Sequence, residues 1–292
     1  MLPDSDDILD RCVIYREFSM PVRKFYQYDR GDDSVYGFRV GRFNLGINTT
    51  FILYRIGNTL IDTGPTNQWK DIRLQLKDTD IQQLLITHHH EDHAGNTQRI
   101  AEMKGIVPLA PALGQAKIAS GFKTPVMQKL IWGSPVPAKT DTMPEEFTLT
   151  DGSPVIAVHT PGHAKDLTCL FLPKQKYLFS GDMYISRSLK YMRADENLEQ
   201  LMDGLRKLLK LDFEIVFCPH NGIVEDGKAA LQDKLNNLEA MCQKAAAYSA
   251  EGLTEEQVIE KLVGPEDMLS KLSRYNISKG NLVRQAIEIG RK

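Results

Sequence analysis

Paired cysteines are absent from this chain. The four that it has, Cys12, Cys169, Cys218 and Cys242, are scattered and form no C-x-x-C pair. That spacing argues against a disulfide framework and for buried free thiols in a reducing cytosol. A surplus of either charge is also absent: 36 Lys plus Arg stand against 38 Asp plus Glu, a formal net charge of −2. The balance disfavours an electrostatic nucleic-acid binder and leaves only a local basic patch open. No stretch approaches the roughly 18 uninterrupted apolar residues of a membrane span. The acidic start, Met1-Leu2-Pro3-Asp4-Ser5-Asp6-Asp7, lacks the basic opening and apolar run of a secretory signal. The expectation is a cytoplasmic protein with neither a membrane nor a nucleic acid as partner.

What remains is the composition of an ordinary globular protein, 42% apolar and 25% charged. Its 292 residues suffice for one large domain and a small extension. Long helical periodicity begins near Gly227, which predicts a boundary between residues 1–226 and 227–292. Histidine is scarce, with seven in the chain, yet Thr87-His88-His89-His90-Glu91-Asp92-His93-Ala94-Gly95 contains the pattern H-x-H-x-D-H. Neutral imidazoles and carboxylates are the ligands of borderline divalent metals such as Zn²⁺. Four such donors, His88, His90, Asp92 and His93, within six residues are hard to explain without a metal. His89 fills a spacer position and is predicted to be solvated or hydrogen-bonded rather than ligating.

The run sits where a strand ends. Asn48 to Ile56 reads as a strand, Gly57-Asn58 as a turn, and Thr59-Leu60-Ile61 as a returning strand that ends in Asp62-Thr63-Gly64. Leu84-Leu85-Ile86 is a short strand directly before the histidines, and Thr97 to Lys104 a helix after them. This β-loop-α unit puts the chemistry at the carboxyl end of a strand. Val155 to Val158 then leads to His159-Thr160-Pro161-Gly162-His163. Thr168 to Leu172 and Tyr177 to Phe179 read as a hairpin that ends in Ser180-Gly181-Asp182. Asn197 to Leu211 is an amphipathic helix, and Glu214 to Phe217 a strand that ends in Cys218-Pro219-His220. Asp62, His88 to His93, His163, Asp182 and His220 all follow apolar strands, as a single site at one edge of a sheet core would require. His159 is expected at the rim or in a structural role.

The ordered set Leu60-Ile61-Asp62-Thr63-Gly64, Thr87 through Gly95, Thr160-Pro161-Gly162-His163, Ser180-Gly181-Asp182 and Pro219-His220 resembles the metallo-β-lactamase superfamily of hydrolases. The resemblance covers about residues 48 to 222. It implies an α/β fold, a four-layer αβ/βα sandwich of two mixed sheets with helices outside, here with a C-terminal helical extension. By resemblance, one metal takes His88, His90 and His163, a second takes Asp92, His93 and His220, and Asp182 bridges them. Asp62 matches the carboxylate that stands behind the ligands and orients their loop. The implied cofactor is a pair of divalent ions, Zn²⁺ by default with iron or manganese as alternatives. The true zinc β-lactamases place a cysteine where this chain has Asp182. The resemblance is therefore nearer to the glyoxalase II, lactonase and phosphodiesterase branches. The implied reaction is attack by a bridging hydroxide on an ester, thioester, lactone or phosphodiester of a small molecule, with Asp92 and Asp182 as the catalytic carboxylates.

Substrate contacts are less sharply marked. Glyoxalase II-like enzymes reach substrate with the stretch after the bridging aspartate, which makes Tyr184, Arg187, Lys190 and Arg193 candidates for an anionic substrate; a solvated loop is the competing reading. The glycine-rich sequence that surrounds the glyoxalase lysine is missing, which argues against glutathione thioesters. Residues 121–146 lack periodicity and read as an irregular lid or binding loop, from which Met127 and Trp132 would line an apolar pocket or simply pack. Beyond Gly227, Leu231, Leu235, Leu238 and Met241 mark one helix, Thr254-Glu255-Glu256-Gln257 is a capping box for a second, and Ser278 caps a third. Such tails in the family shape the pocket or support a homodimer. Three rival readings stay open: an iron-containing redox enzyme of the same fold, a nuclease, or a non-catalytic regulatory member.

Overall fold

The structure, a computed structural model, describes residues 12–18 (backbone only), 22–29, 33–43 and 49–292. The acidic start Met1–Asp7, the Cys12 side chain and Asn48, which opens an expected strand, lie outside what is described. Three strands, β1 (Cys12–Phe18), β2 (Val22–Tyr28) and β3 (Val35–Gly41), precede the first element expected from sequence. The adjacent charges Arg23 and Lys24 hide the two-residue alternation of β2, although its aromatic content favours a strand. They form antiparallel pairs and lead into β4 (Phe51–Ile56) and β5 (Thr59–Ile61).

From β5 the chain follows a parallel course. Helix α1 (Trp69–Leu76) leads to β6 (Gln83–Leu85), and α2 (Thr97–Lys104) leads to β7 (Leu109–Ala110). Helices α3 (Ala112–Ser120) and α4 (Val126–Trp132) then lead to β8 (Asp141–Thr142). Among the described residues, these eight strands make one sheet in sequential order. The second sheet holds β9 (Glu146–Thr148), β10 (Pro154–His159), β11 (Thr168–Leu172) and β12 (Tyr177–Phe179). A two-residue strand, β13 (Met192–Arg193), and helix α5 (Leu198–Leu208) follow before β14 (Ile215–Cys218) and β15 (Gly222–Val224) complete that sheet.

Strand β4 shows why the core has four layers. Its Ile52, Tyr54 and Ile56 face the second sheet, against Leu170, Leu172, Phe179 and Phe217. Its alternate residues Phe51 and Leu53 face the other way, against Ile72 and Leu76 of α1 and Ile100 of α2. A strand buried on both faces reads as a continuous apolar run, and side chains on successive residues point to opposite sides. The second sheet is covered outside by Leu198, Leu201, Met202, Leu205 and Leu208 of α5. This is the αβ/βα sandwich that the sequence implied.

Residues 121–146 are irregular only in part. They contain α4, bounded by Pro125 in extended conformation and by Gly133 at φ 90°, and then β8 and the start of β9. A seven-residue helix spans two turns, too few for a 3.6-residue period to stand out. The tail forms α6 (Gly227–Ala250), α7 (Glu255–Val263), a short helix α8 (Met268–Leu272), β16 (Ile277–Ser278) paired with β13, and α9 (Lys279–Gly290). Thr254 and Gln257 make the capping box on α7, and the Ser278 side chain caps α9. Among the described side chains, Cys169, Cys218 and Cys242 are buried free thiols. Among the described residues, no helix is long and apolar enough to cross a membrane.

Helix α6 buries Leu231, Leu235, Leu238, Cys242 and Ala245 in the same apolar cluster as α5 and the outer face of the second sheet. Replacing Leu231 with Ala should therefore cost about 2–5 kcal/mol. Both tryptophans, Trp69 and Trp132, precede residue 227. Urea unfolding followed by their fluorescence should shift to lower denaturant together with the circular-dichroism transition. Fluorescence that does not move would show that the tail folds as a separate unit.

Candidate metal centre

Parallelism explains why the donors meet. Strands β5 and β6 run parallel, as do β12 and β14, and β10 shares their direction because two antiparallel pairings separate it from β12. Their carboxyl ends therefore open on one edge of the sandwich, where Asp62, His88 to His93, His163, Asp182 and His220 follow. Two backbone hydrogen bonds tie the sheets together there, from Ile52 N to the Pro219 carbonyl (2.7 Å) and from Thr168 N to the Thr87 carbonyl (3.0 Å).

The imidazole nitrogens and carboxylate oxygens converge. His88 Nε2 lies 3.1 Å from His90 Nδ1, and His163 Nε2 lies 3.0 Å from the same atom. Asp182 reaches both halves of the cluster: Oδ2 is 3.2 Å from His163 Nε2, and Oδ1 is 3.2 Å from His93 Nε2 and 3.3 Å from His220 Nε2. Asp92 Oδ2 is 3.4 Å from His220 Nε2. Three overlapping triads, His88/His90/His163, His88/His93/Asp182 and Asp92/His93/His220, each keep their donor atoms within 4.8 Å. A tetrahedral ion with arms of about 2.0–2.1 Å spaces its ligands by about 3.3 Å, which matches these separations.

The far nitrogens show which atoms are free to bind. His93 Nδ1 donates to Asp62 Oδ2 (2.7 Å), His163 Nδ1 to Glu196 Oε1 (2.6 Å), and His220 Nδ1 to the Thr50 carbonyl (2.9 Å). Thr87 Oγ1 donates to Asp62 Oδ2 (2.8 Å) and sits 3.1 Å from His88 Nδ1, placed to accept from it. Each of these four rings thus holds its proton on Nδ1 and turns the Nε2 lone pair into the cluster, while His90 offers Nδ1. Two buried atoms there, His93 Nε2 and Asp182 Oδ1, have no hydrogen-bond partner. Two electron-pair donors facing one another in a buried pocket fit a divalent cation.

Electrostatics divides the rings. Burial, then neighbouring imidazoles, push His88 and His90 well below the usual histidine range. Burial also opposes a charge on His93, but Asp182, Asp62 and Asp92 override it and raise the ring well above that range. In the same way, Asp182 and Glu196 overcome burial at His163 and raise it to about 10. Burial and then the adjacent Asp92 push Glu91 up to about 7.

His89 turns away from the cluster. Its backbone N–H and Nδ1 donate to the two Asp166 carboxylate oxygens (2.8 and 2.6 Å), and Lys117 Nζ lies 2.9 Å from Nε2. His159 Nε2 donates to the Lys165 carbonyl. Of the substrate candidates, Trp132 is buried with its ring 6.0 Å from that of His220. Arg193 is half-buried beside Asp195, with Glu91 and Glu196 also acting on its charge. Arg187 is exposed and paired at 3.6 Å with Asp233 on α6, Lys190 is exposed, and Tyr184 is buried with Lys234 Nζ 5.9 Å from its ring. Sequence reasoning missed Glu196, Asp166 and Arg39, whose Nη1 donates to the His220 carbonyl (3.0 Å). Asp166, three residues after His163, was the one with a local signal; Glu196 and Arg39 are brought in only by folding.

The geometry agrees with comparisons to known proteins. The model of the metallo-beta-lactamase superfamily matches residues 43–220, and the chain belongs to that superfamily. Among curated relatives, it is 25% identical over 234 residues to the lactamase-like protein aptB of Emericella nidulans, covering 75% of this chain and 69% of that protein. It is 26% identical to an atrochrysone carboxyl ACP thioesterase of Aspergillus fumigatus, covering 69% of this chain and 59% of the relative. It is 28% identical to thioesterase pkgB of Emericella nidulans, with 77% and 55% covered. The chain thus spans little more than half the length of the two thioesterases. Two solved structures share the fold. A beta-lactamase domain protein from Burkholderia ambifaria has a TM-score of 0.70 at 13% identity, covering 91% of this chain and 88% of that one. A metallo-beta-lactamase family protein from Thermus thermophilus has a TM-score of 0.64 at 18% identity, with 88% and 93% covered.

Two outcomes are expected. Asp62 sits at φ 59°, a left-handed conformation that Asp tolerates, and holds both His93 and the Thr87 backbone N–H. Asp62→Ala should weaken metal retention about 10–100-fold in competition with a chromophoric chelator. Metal binding requires neutral rings, whereas metal-free His163 keeps its proton up to about 10. Affinity should therefore fall as pH falls, and loading at neutral pH should release protons. Calorimetric heats that do not vary with buffer ionisation enthalpy would contradict this.

Proposed function

We propose that this chain is a metal-dependent hydrolase that cleaves a small acyl thioester at a two-ion centre. One ion is assigned to His88, His90 and His163, the other to Asp92, His93 and His220, with Asp182 shared and Zn²⁺ as the default metal. The observation that carries this reading is the Asp182 carboxylate, one oxygen of which faces His163 while the other faces His93 and His220. Bound divalent ions lower the pKa of water from about 15.7 to about 7 and polarise a carbonyl oxygen. The protein's part is to aim the ring nitrogens. Asp62, Glu196 and the Thr50 carbonyl do this by accepting from the outward Nδ1–H groups, which leaves Nε2 facing the cluster.

The thioester is supported by the relatives named as thioesterases. Two features of the surroundings suit an acyl group with a polar end: the apolar Trp132 ring beside His220 and the Arg193 cation next to Glu91. Those two residues are assigned to substrate contact. Arg187 and Tyr184 are assigned to the packing between the loop after Asp182 and α6, and exposed Lys190 to solvent. Residues 1–226 are taken as the catalytic domain and 227–292 as an extension that supports it.

The test is a hydrolysis screen of metal-loaded protein against acyl-pantetheine and carrier-bound thioesters, lactones, phosphodiesters and β-lactams. Thioester turnover should exceed the others and vanish on chelation. Asp182→Ala should lower it by more than the roughly 10–100-fold typical of losing a residue that merely orients a ligand. Wild-type turnover in that variant, or turnover that persists in chelator, would overturn the proposal.

A further inference from the structure

The apolar face of α6 is interrupted by one charge. Its buried positions 231, 235, 238, 242 and 245 are apolar, but Lys234, equally buried at 3% exposure, lies among them. Lys279, another buried lysine, has Asp267 at 3.4 Å. Lys234 has no carboxylate partner among the described residues. Its one hydrogen bond runs from Nζ to the Met183 carbonyl (2.8 Å), with the Tyr184 ring 5.9 Å away. A buried ammonium without a paired carboxylate is destabilising, and an apolar residue of similar size is often the more stable choice. This one therefore has no account in the stability of the fold. Burial pushes its amine down to about 8, which leaves it charged at neutral pH.

The acceptor explains its place. Met183 ends the 3-10 turn Gly181–Met183, which carries Asp182 into the cluster. The last carbonyls of such a turn have no partner within it. Gly181 is held at φ 47°, where an added Cβ would come within 2.8 Å of Leu167, so the turn is fixed on that side by packing. On the other side Lys234 caps the Met183 carbonyl.

We infer that Lys234 is a positioning residue: from α6, beyond the ligand-bearing part of the chain, it fixes the turn that presents Asp182 to both halves of the centre. The inference rests on the reading of Asp182 as a shared ligand. It makes the tail a working part of the site rather than a cover on it.

Three variants test it, with wild-type metal binding measured first. A wild-type protein that retains no metal would sink the reading of the centre itself, before any variant is compared. Lys234→Met removes the charge and the donor at similar length. It should keep or raise the melting temperature while weakening metal retention against a chelator at least tenfold, and it should shift the absorption bands of the cobalt-loaded protein. Lys234→Gln, which keeps a donor, should restore part of that retention. Leu235→Ala loosens the same helix and should lower the melting temperature with retention within twofold of wild type. The inference is overturned if Lys234→Met retains metal as wild type does, or if retention across the three variants simply follows their melting temperatures.

Discussion

The structure turns on one buried carboxylate. Asp182 stands among three imidazole Nε2 atoms, those of His93, His163 and His220, at 3.2–3.3 Å. Burial alone would favour its protonated form, yet these rings hold it well below the usual carboxylate range. The same field runs the other way, keeping protons on His93 and His163. Without a cation, negative charge and imidazole protons are held together by mutual attraction in a largely buried place. A divalent ion would satisfy the two atoms of the cluster that have no hydrogen-bond partner, His93 Nε2 and Asp182 Oδ1.

Holding that carboxylate in place depends on ordering at some distance. Four outward nitrogens must meet acceptors, and the acceptors come from separate elements: Asp62 after β5, Thr87 after β6, Thr50 before β4, and Glu196 before α5. Close approaches reinforce the arrangement. Gly162, just before His163, lies at φ 136° with no room for a Cβ against the Leu201 backbone, and Gly95 closes the ligand loop onto the Glu91 carbonyl. The α5 and α6 helices are part of this ordering because they press on the loops that carry His163 and Asp182.

Much of this was legible before folding was considered. The ligand run, the strand before each donor and the caps at Thr254 and Ser278 are local patterns, and local patterns survive in a sequence. The four-layer architecture came from resemblance to a family and not from periodicity. The reading of residues 121–146 as irregular missed α4, which is only two turns long. Strand β2 escaped because adjacent charged residues interrupt its alternation.

By itself, the sequence determined the chemistry at hand: which residues offer nitrogen or oxygen donors, in what order, and that each follows a strand. Only the tertiary structure decided what those donors do. It turned His89 outward to Asp166 while turning His88 and His90 inward, although the three are consecutive. It brought Glu196 to His163, Arg39 to the His220 carbonyl and Lys234 to Met183, across 33, 181 and 51 residues. The physical reason is that ligand type is a property of one side chain, whereas the direction of its lone pair is set by whatever accepts the opposite proton. That partner is chosen by packing, which no local pattern records.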